Sequence, residues 1–75
     1  MAIERYNVIN MNIPYEKRPK LNLAGIDGNA YAIMGAVSKA LKKAGLTQEA
    51  KQYMQEAMSG DYDNLLRVSM DCVRD

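Results

Sequence analysis

The sequence predicts an all-α fold: a small antiparallel helical protomer with an extended N-terminal arm, assembling into a compact homo-oligomer. Three observations predict it. Three segments carry apolar residues at three- and four-residue steps, the spacing that gathers side chains on one helical face. Gly45 and Gly60 separate these segments, and the connections are short enough to make the helices antiparallel neighbours. Finally, a core built from 75 residues usually supplies only about 3–5 kcal/mol. Cys72 is the only cysteine, so no disulfide can staple it and self-association is the remaining route to stability.

The chain reads as one helical domain over residues 1–75. Residues 1–20 form the arm. Ile9, Met11, Ile13 and Tyr15 alternate with Asn10, Asn12 and Pro14, which argues for an extended segment with one buried face. Pro14 cannot donate a ladder hydrogen bond, so an edge position or a lone arm is expected. One such strand has no partner within the chain and must lie on a helix or another subunit. Glu16, Lys17, Arg18, Pro19 and Lys20 make a polar corner that holds three cations close to the glycine turn that follows.

That turn, Gly25-Ile-Asp-Gly28, opens the first helix, expected over residues 29–44. Asp27 or Asn29 can cap it, because a short side-chain oxygen satisfies free backbone N–H groups. Ala30, Ile33, Val37, Leu41 and Ala44 share one face, and Gly45 can close the last turn in the left-handed conformation. Gly35 inside this helix costs about 1 kcal/mol relative to alanine, which calls for a packing reason. Lys39, Lys42 and Lys43 fall where cations favour the negative end of the helix dipole, a sufficient structural role.

The second helix is expected over residues 48–58, with Thr47 as its cap and Glu49 in the first turn. Ala50, Tyr53, Met54, Ala57 and Met58 form its stripe, and Gly60 ends it. The third is expected over residues 62–73, capped by Asp61. Its apolar residues, Tyr62, Leu65, Leu66, Val68, Met70, Cys72 and Val73, spread over more than one face, as in a helix shared with a partner chain.

Composition excludes several kinds of chemistry. There is no histidine, so the usual zinc sites and histidine acid–base catalysis are out of reach. Cys72 therefore has no histidine base, and a small buried apolar role fits it better than nucleophilic catalysis. Asp61, Asp63 and Asn64 imitate the start of a calcium loop. Leu66 and Cys72 then occupy the positions that need glycine and glutamate. No enzyme signature, metal site or cofactor is expected. No apolar run approaches the roughly 18 residues of a membrane span, and a soluble cytoplasmic protein is expected.

The net charge of +1 hides an asymmetry. Seven bases face three acids through Gly45, and three bases face six acids from Leu46 onward. Basic and acidic surfaces then meet between subunits, or the basic half faces an anionic ligand, or the asymmetry is only a solvated surface. Backbone N–H groups of the glycine turn, with Arg18, Lys20 and a stacking Tyr6 or Tyr15, suit a planar, phosphate-bearing ligand. A plain structural turn is the alternative, since such turns are common.

The runs GIDGNAYAIMGAVSKALKKAG and EAMSGDYDNLLR resemble a family of small phage proteins that defeat CBASS, the bacterial anti-phage signalling system based on cyclic oligonucleotides. The resemblance extends over roughly Tyr6 to Val73. It implies an all-helical protomer, a homohexamer, and two kinds of pocket at subunit contacts. It also implies a sponge acting in the infected host's cytoplasm, one that binds cyclic GMP–AMP, related cyclic dinucleotides and cyclic trinucleotides without cleaving them. An aromatic near the N-terminus and a lysine before the glycine turn serve cyclic dinucleotides in that family. Here Tyr6 and Lys20 match best, with Tyr15 and Arg18 as alternatives. Gly25, Asp27, Gly28, Asn29 and Ala30, with Arg67, would form the trinucleotide pocket. The competing expectation is a nucleic-acid-binding or regulatory adaptor that uses the basic arm. A sequence pI of 7.8 counts against nucleic acid, and a purely protein-binding adaptor is a third class.

Overall fold

A computed structural model of the chain describes residues 13–74. Three α-helices, α1 (Ala30–Lys43), α2 (Thr47–Ala57) and α3 (Tyr62–Met70), make up its frame, and each packs on both others. No strand occurs among the described residues, so the fold is all-α. Tyr6, Ile9 and Met11 lie outside the described residues, as does the first part of the expected arm.

Asn29 caps α1, its side-chain oxygen accepting from the Tyr31 N–H at 2.8 Å. Asp27, the other candidate, has no such role. At the far end Gly45 takes φ +82°. Its N–H donates to the Lys42 carbonyl (3.0 Å) and the Leu46 N–H to the Leu41 carbonyl (2.9 Å). This is the paired bonding of a Schellman stop, with Leu46 folded back onto the core.

The α1–α2 connection is so short that Thr47 is already helical. Leu46 stands at the cap position of α2 with no side-chain bond, which corrects the expected Thr47 cap. Asp61 caps α3, accepting from the Asn64 N–H at 3.0 Å. Between α2 and α3 the Glu56 carbonyl, freed at the helix end, accepts from Ser59 Oγ and Asn64 Nδ2, each at 2.8 Å. Gly60 permits this closure: a Cβ there would meet the Asn64 side chain at 2.9 Å.

The core draws one stripe from each helix: Ile33, Val37 and Leu41, then Ala50, Tyr53 and Ala57, then Leu65 with Ser69. Ile13, Cys72 and Val73 complete it. Cys72 and Val73 are not helical, contrary to the expected span of the third helix. α3 stops at Met70, and the chain turns so that Arg74 pairs with the segment before the glycine turn. The Arg74 N–H donates to the Pro19 carbonyl (3.0 Å), and the Leu21 N–H to the Arg74 carbonyl (2.8 Å). This parallel Lys20–Arg74 bridge ties the last residue of the expected arm to the C-terminal segment. Tyr15 departs from the alternating pattern too, lying in a 3₁₀ turn, Tyr15–Lys17, that keeps it exposed while Ile13 is buried.

Candidate ligand-binding site

The residues singled out from sequence fall into two neighbourhoods. In the first, the polar corner, Arg18 is half-buried and its Nε donates to the Ile13 carbonyl at 2.9 Å. Its guanidinium carbon lies 5.5 Å from the Tyr15 ring centroid, a cation–π distance. The Arg18 carbonyl also accepts from Arg74 Nε at 2.9 Å. Arg18 thus braces the corner. Lys20 contributes its backbone to the bridge with Arg74 and is exposed. Of Arg18 and Lys20, Lys20 is the exposed cation.

In the second neighbourhood, Gly25 ends a 3₁₀ turn, Leu23–Gly25, that Asn22 caps through the Ala24 N–H at 3.0 Å. Neither Gly25 nor Gly28 has positive φ; Gly45 alone does among the described residues. These two glycines therefore do not build a nest of the alternating left- and right-handed kind. Asn29 also occupies one of the first helical N–H groups. The turn instead holds α3: Tyr62 Oη donates a short hydrogen bond to the Gly28 carbonyl. Asp27 is exposed beside it.

That bond joins the two segments that carry the family resemblance, 34 residues apart in the chain. It also forms one end of a cleft of about 320 Å³ between the start of α1, the end of α2 and the start of α3. Ala30, Met34, Ala57 and Leu65 line its apolar side, Tyr31 and Tyr62 its aromatic side, with Asp61 beside them. Tyr31 is 79 % exposed and Tyr62 44 %. Sequence reasoning did not single out either ring as a ligand contact. The available signal was Tyr31 itself, a large aromatic off the apolar stripe of α1. Arg67 is exposed in the last turn of α3 and does not line this cleft.

Another cleft, about 480 Å³, lies farther along α1, lined by Gly35, Ser38, Lys39, Lys42, Lys43 and Met54. Among the described residues Gly35 has no packing partner: a Cβ on it would meet nothing within 4 Å.

The perturbed titrating groups lie in the core, away from both clefts. Burial pushes the Cys72 thiol up to about 12; Asp71 adds to this and Arg18 opposes it. The thiol is fully buried and stays protonated at neutral pH, unsuited to nucleophilic attack. Burial likewise raises the Tyr53 hydroxyl, against a lowering hydrogen bond from Ser69. Among the described residues no three Cys, Asp or Glu side chains gather where they could hold a metal ion. No described helix is long and apolar enough to cross a membrane. Set against known proteins, the chain matches no family model, no curated protein and no solved structure.

Proposed function

We propose that this protein is a phage-encoded sponge that sequesters cyclic oligonucleotide second messengers and so blocks CBASS immunity without cleaving them. The observation that carries the reading is the Tyr62–Gly28 bond. It ties the DGNAYAIMGA and SGDYDNLLR segments, which resemble the sponge family only in combination, into one surface. Capture of a cyclic nucleotide needs cations, stacking faces and a shaped surface rather than a nucleophile. Lys20, the exposed tyrosines and the turn from Gly25 to Ala30 supply these on one protomer, with Arg67 and Tyr6 joining from subunit contacts.

Self-association belongs to the reading. Tyr15, Tyr31, Met58, Tyr62 and Met70 are large apolar side chains left exposed on one protomer and available to a second copy. A homohexamer would place residues from several copies around each pocket.

Lys20→Ala tests the binding side. A charge-assisted hydrogen bond to a phosphodiester contributes about 1.5–3 kcal/mol. Its loss should weaken cyclic dinucleotide affinity at least about tenfold by calorimetry, with the melting temperature close to wild type. Wild-type affinity in Lys20→Ala would remove that lysine from the site. Tighter binding of a linear oligonucleotide than of any cyclic one would favour the nucleic-acid adaptor instead.

A further inference from the structure

The tyrosine cleft and the lysine cleft share no lining residue but follow one another along α1, with Tyr31 of the first one turn from Gly35 of the second; together they are termed the furrow. Tyr31, Gly35, Ser38 and Lys42 follow one another at steps of four, three and four residues, a single stripe on α1. Met58 and Met54, four residues apart on α2, line the opposite side. From Tyr31 to Lys42 the stripe runs eleven residues, about 16 Å at 1.5 Å per residue.

The two ends differ in chemistry. At one end stand Tyr31, Tyr62 and Asp61. The Tyr62 ring is fixed by its bond to Gly28, and one Asp61 carboxylate oxygen is occupied by the Asn64 N–H. No lysine or arginine lines this end. At the other end stand Lys39, Lys42 and Lys43, and no acid lines it. None of the three lysines is in an ion pair among the described residues. Gly35 lines the lysine cleft on its side nearest Tyr31, and among the described residues nothing lies within 4 Å of a Cβ built on it.

We propose that this furrow binds a purine nucleotide, base at the tyrosine end and phosphates at the lysine end. Aromatic faces stack on any base, and a purine offers the larger face. The remaining Asp61 oxygen accepts from an exocyclic amine or ring N–H, whereas it would repel a phosphate, which sets the direction of the ligand. Unpaired lysines attract phosphate as point charges. Gly35 gives the sugar between them a floor without a side chain. The furrow shares Tyr31, Tyr62 and Ala30 with the sponge reading but does not include Lys20, and its phosphate end is formed by other lysines.

The probes are guanosine triphosphate, inorganic triphosphate, oligothymidylate and cyclic GMP–AMP, followed by calorimetry and by amide and tyrosine ring chemical shifts on the full chain. Guanosine triphosphate should shift Tyr31, Gly35 and Lys42. Tyr31→Ala and Lys39→Ala should each weaken it at least about tenfold, while Lys20→Ala leaves it unchanged. Gly35→Ala separates a binding role from a structural one. It should raise the melting temperature, because an exposed helical glycine is replaced without a clash, and yet weaken nucleotide binding. Unchanged nucleotide affinity in Gly35→Ala would overturn the proposal. So would inorganic triphosphate binding as tightly as the nucleotide, oligothymidylate binding more tightly, or no shift at millimolar nucleotide. Cyclic GMP–AMP binding without guanosine triphosphate binding would refute the furrow and leave the sponge reading standing. The reverse pattern would refute the sponge and leave the furrow.

Discussion

Tyr53 and Ser69 are fully buried, and their hydroxyls meet at 2.7 Å. Each satisfies the other in a place water does not reach. Ser69→Ala should therefore destabilise the protein by about 1–3 kcal/mol, the cost of leaving a buried hydroxyl unpaired. Tyr53→Phe combined with Ser69→Ala should cost less than the two single changes added together, because no orphan remains. Urea unfolding of the three variants measures this coupling, and simple additivity would contradict the pairing. The Cys72 thiol makes a separate prediction. Its ordinary value is 9.0, and the fold raises it to about 12. The unfolded chain loses this proton first. The thiol's stabilising contribution is therefore complete below about pH 9 and declines as the pH rises towards 12, at no more than about 1.4 kcal/mol per pH unit. Tyr53, raised from 10.0, adds a decline of the same sign at higher pH. Cys72→Ala should flatten the stability curve just above pH 9. In the native protein a thiol reagent at neutral pH should label Cys72 only as fast as the chain unfolds.

Among the elements, three glycines in similar sequence settings do three different things. Gly45 holds φ +82°, so Gly45→Ala should destabilise by about 1–2 kcal/mol through left-handed strain. Gly60 is not left-handed, but a Cβ there meets Asn64 at 2.9 Å and disturbs its bond to the Glu56 carbonyl. Gly60→Ala should destabilise by roughly 1–3 kcal/mol through overpacking. Gly35 meets neither obstacle, and Gly35→Ala should stabilise by up to about 1 kcal/mol. Thermal melts of the three variants should rank in that pattern, and a destabilised Gly35→Ala would mean that the helix face is already packed. The same elements show what the sequence made legible. The Asn29 cap, the Gly45 stop, the Asp61 cap and the three core stripes are local patterns with local causes, and they can be read directly. The end of α3 cannot. Cys72 and Val73 continue its apolar pattern, but Arg74 bonds to Pro19 and Leu21, more than fifty residues away, and that pairing draws the chain out of the helix. Tyr62 escaped notice as a ligand contact for the same reason. What joins Tyr62 to the glycine turn is a long-range bond to a backbone carbonyl, which leaves no signature in side-chain spacing.

At the scale of the whole molecule, the account concerns surface more than core. One protomer leaves two tyrosines and two methionines more than half exposed and keeps three of its six lysines along α1. Light scattering should give a mass six times 8.4 kDa at micromolar concentration; a well-folded monomer would remove the pockets expected between subunits. The central claim is sequestration without chemistry, and one measurement tests it most directly. Cyclic GMP–AMP is incubated with the protein, the free pool is measured, and the complex is then denatured and the released nucleotide weighed by mass spectrometry. The account predicts that free nucleotide falls in proportion to added protein sites, without turnover. It also predicts that denaturation returns the nucleotide intact. Linearised nucleotide in excess of the protein sites, or a free pool that does not fall at all, would contradict it.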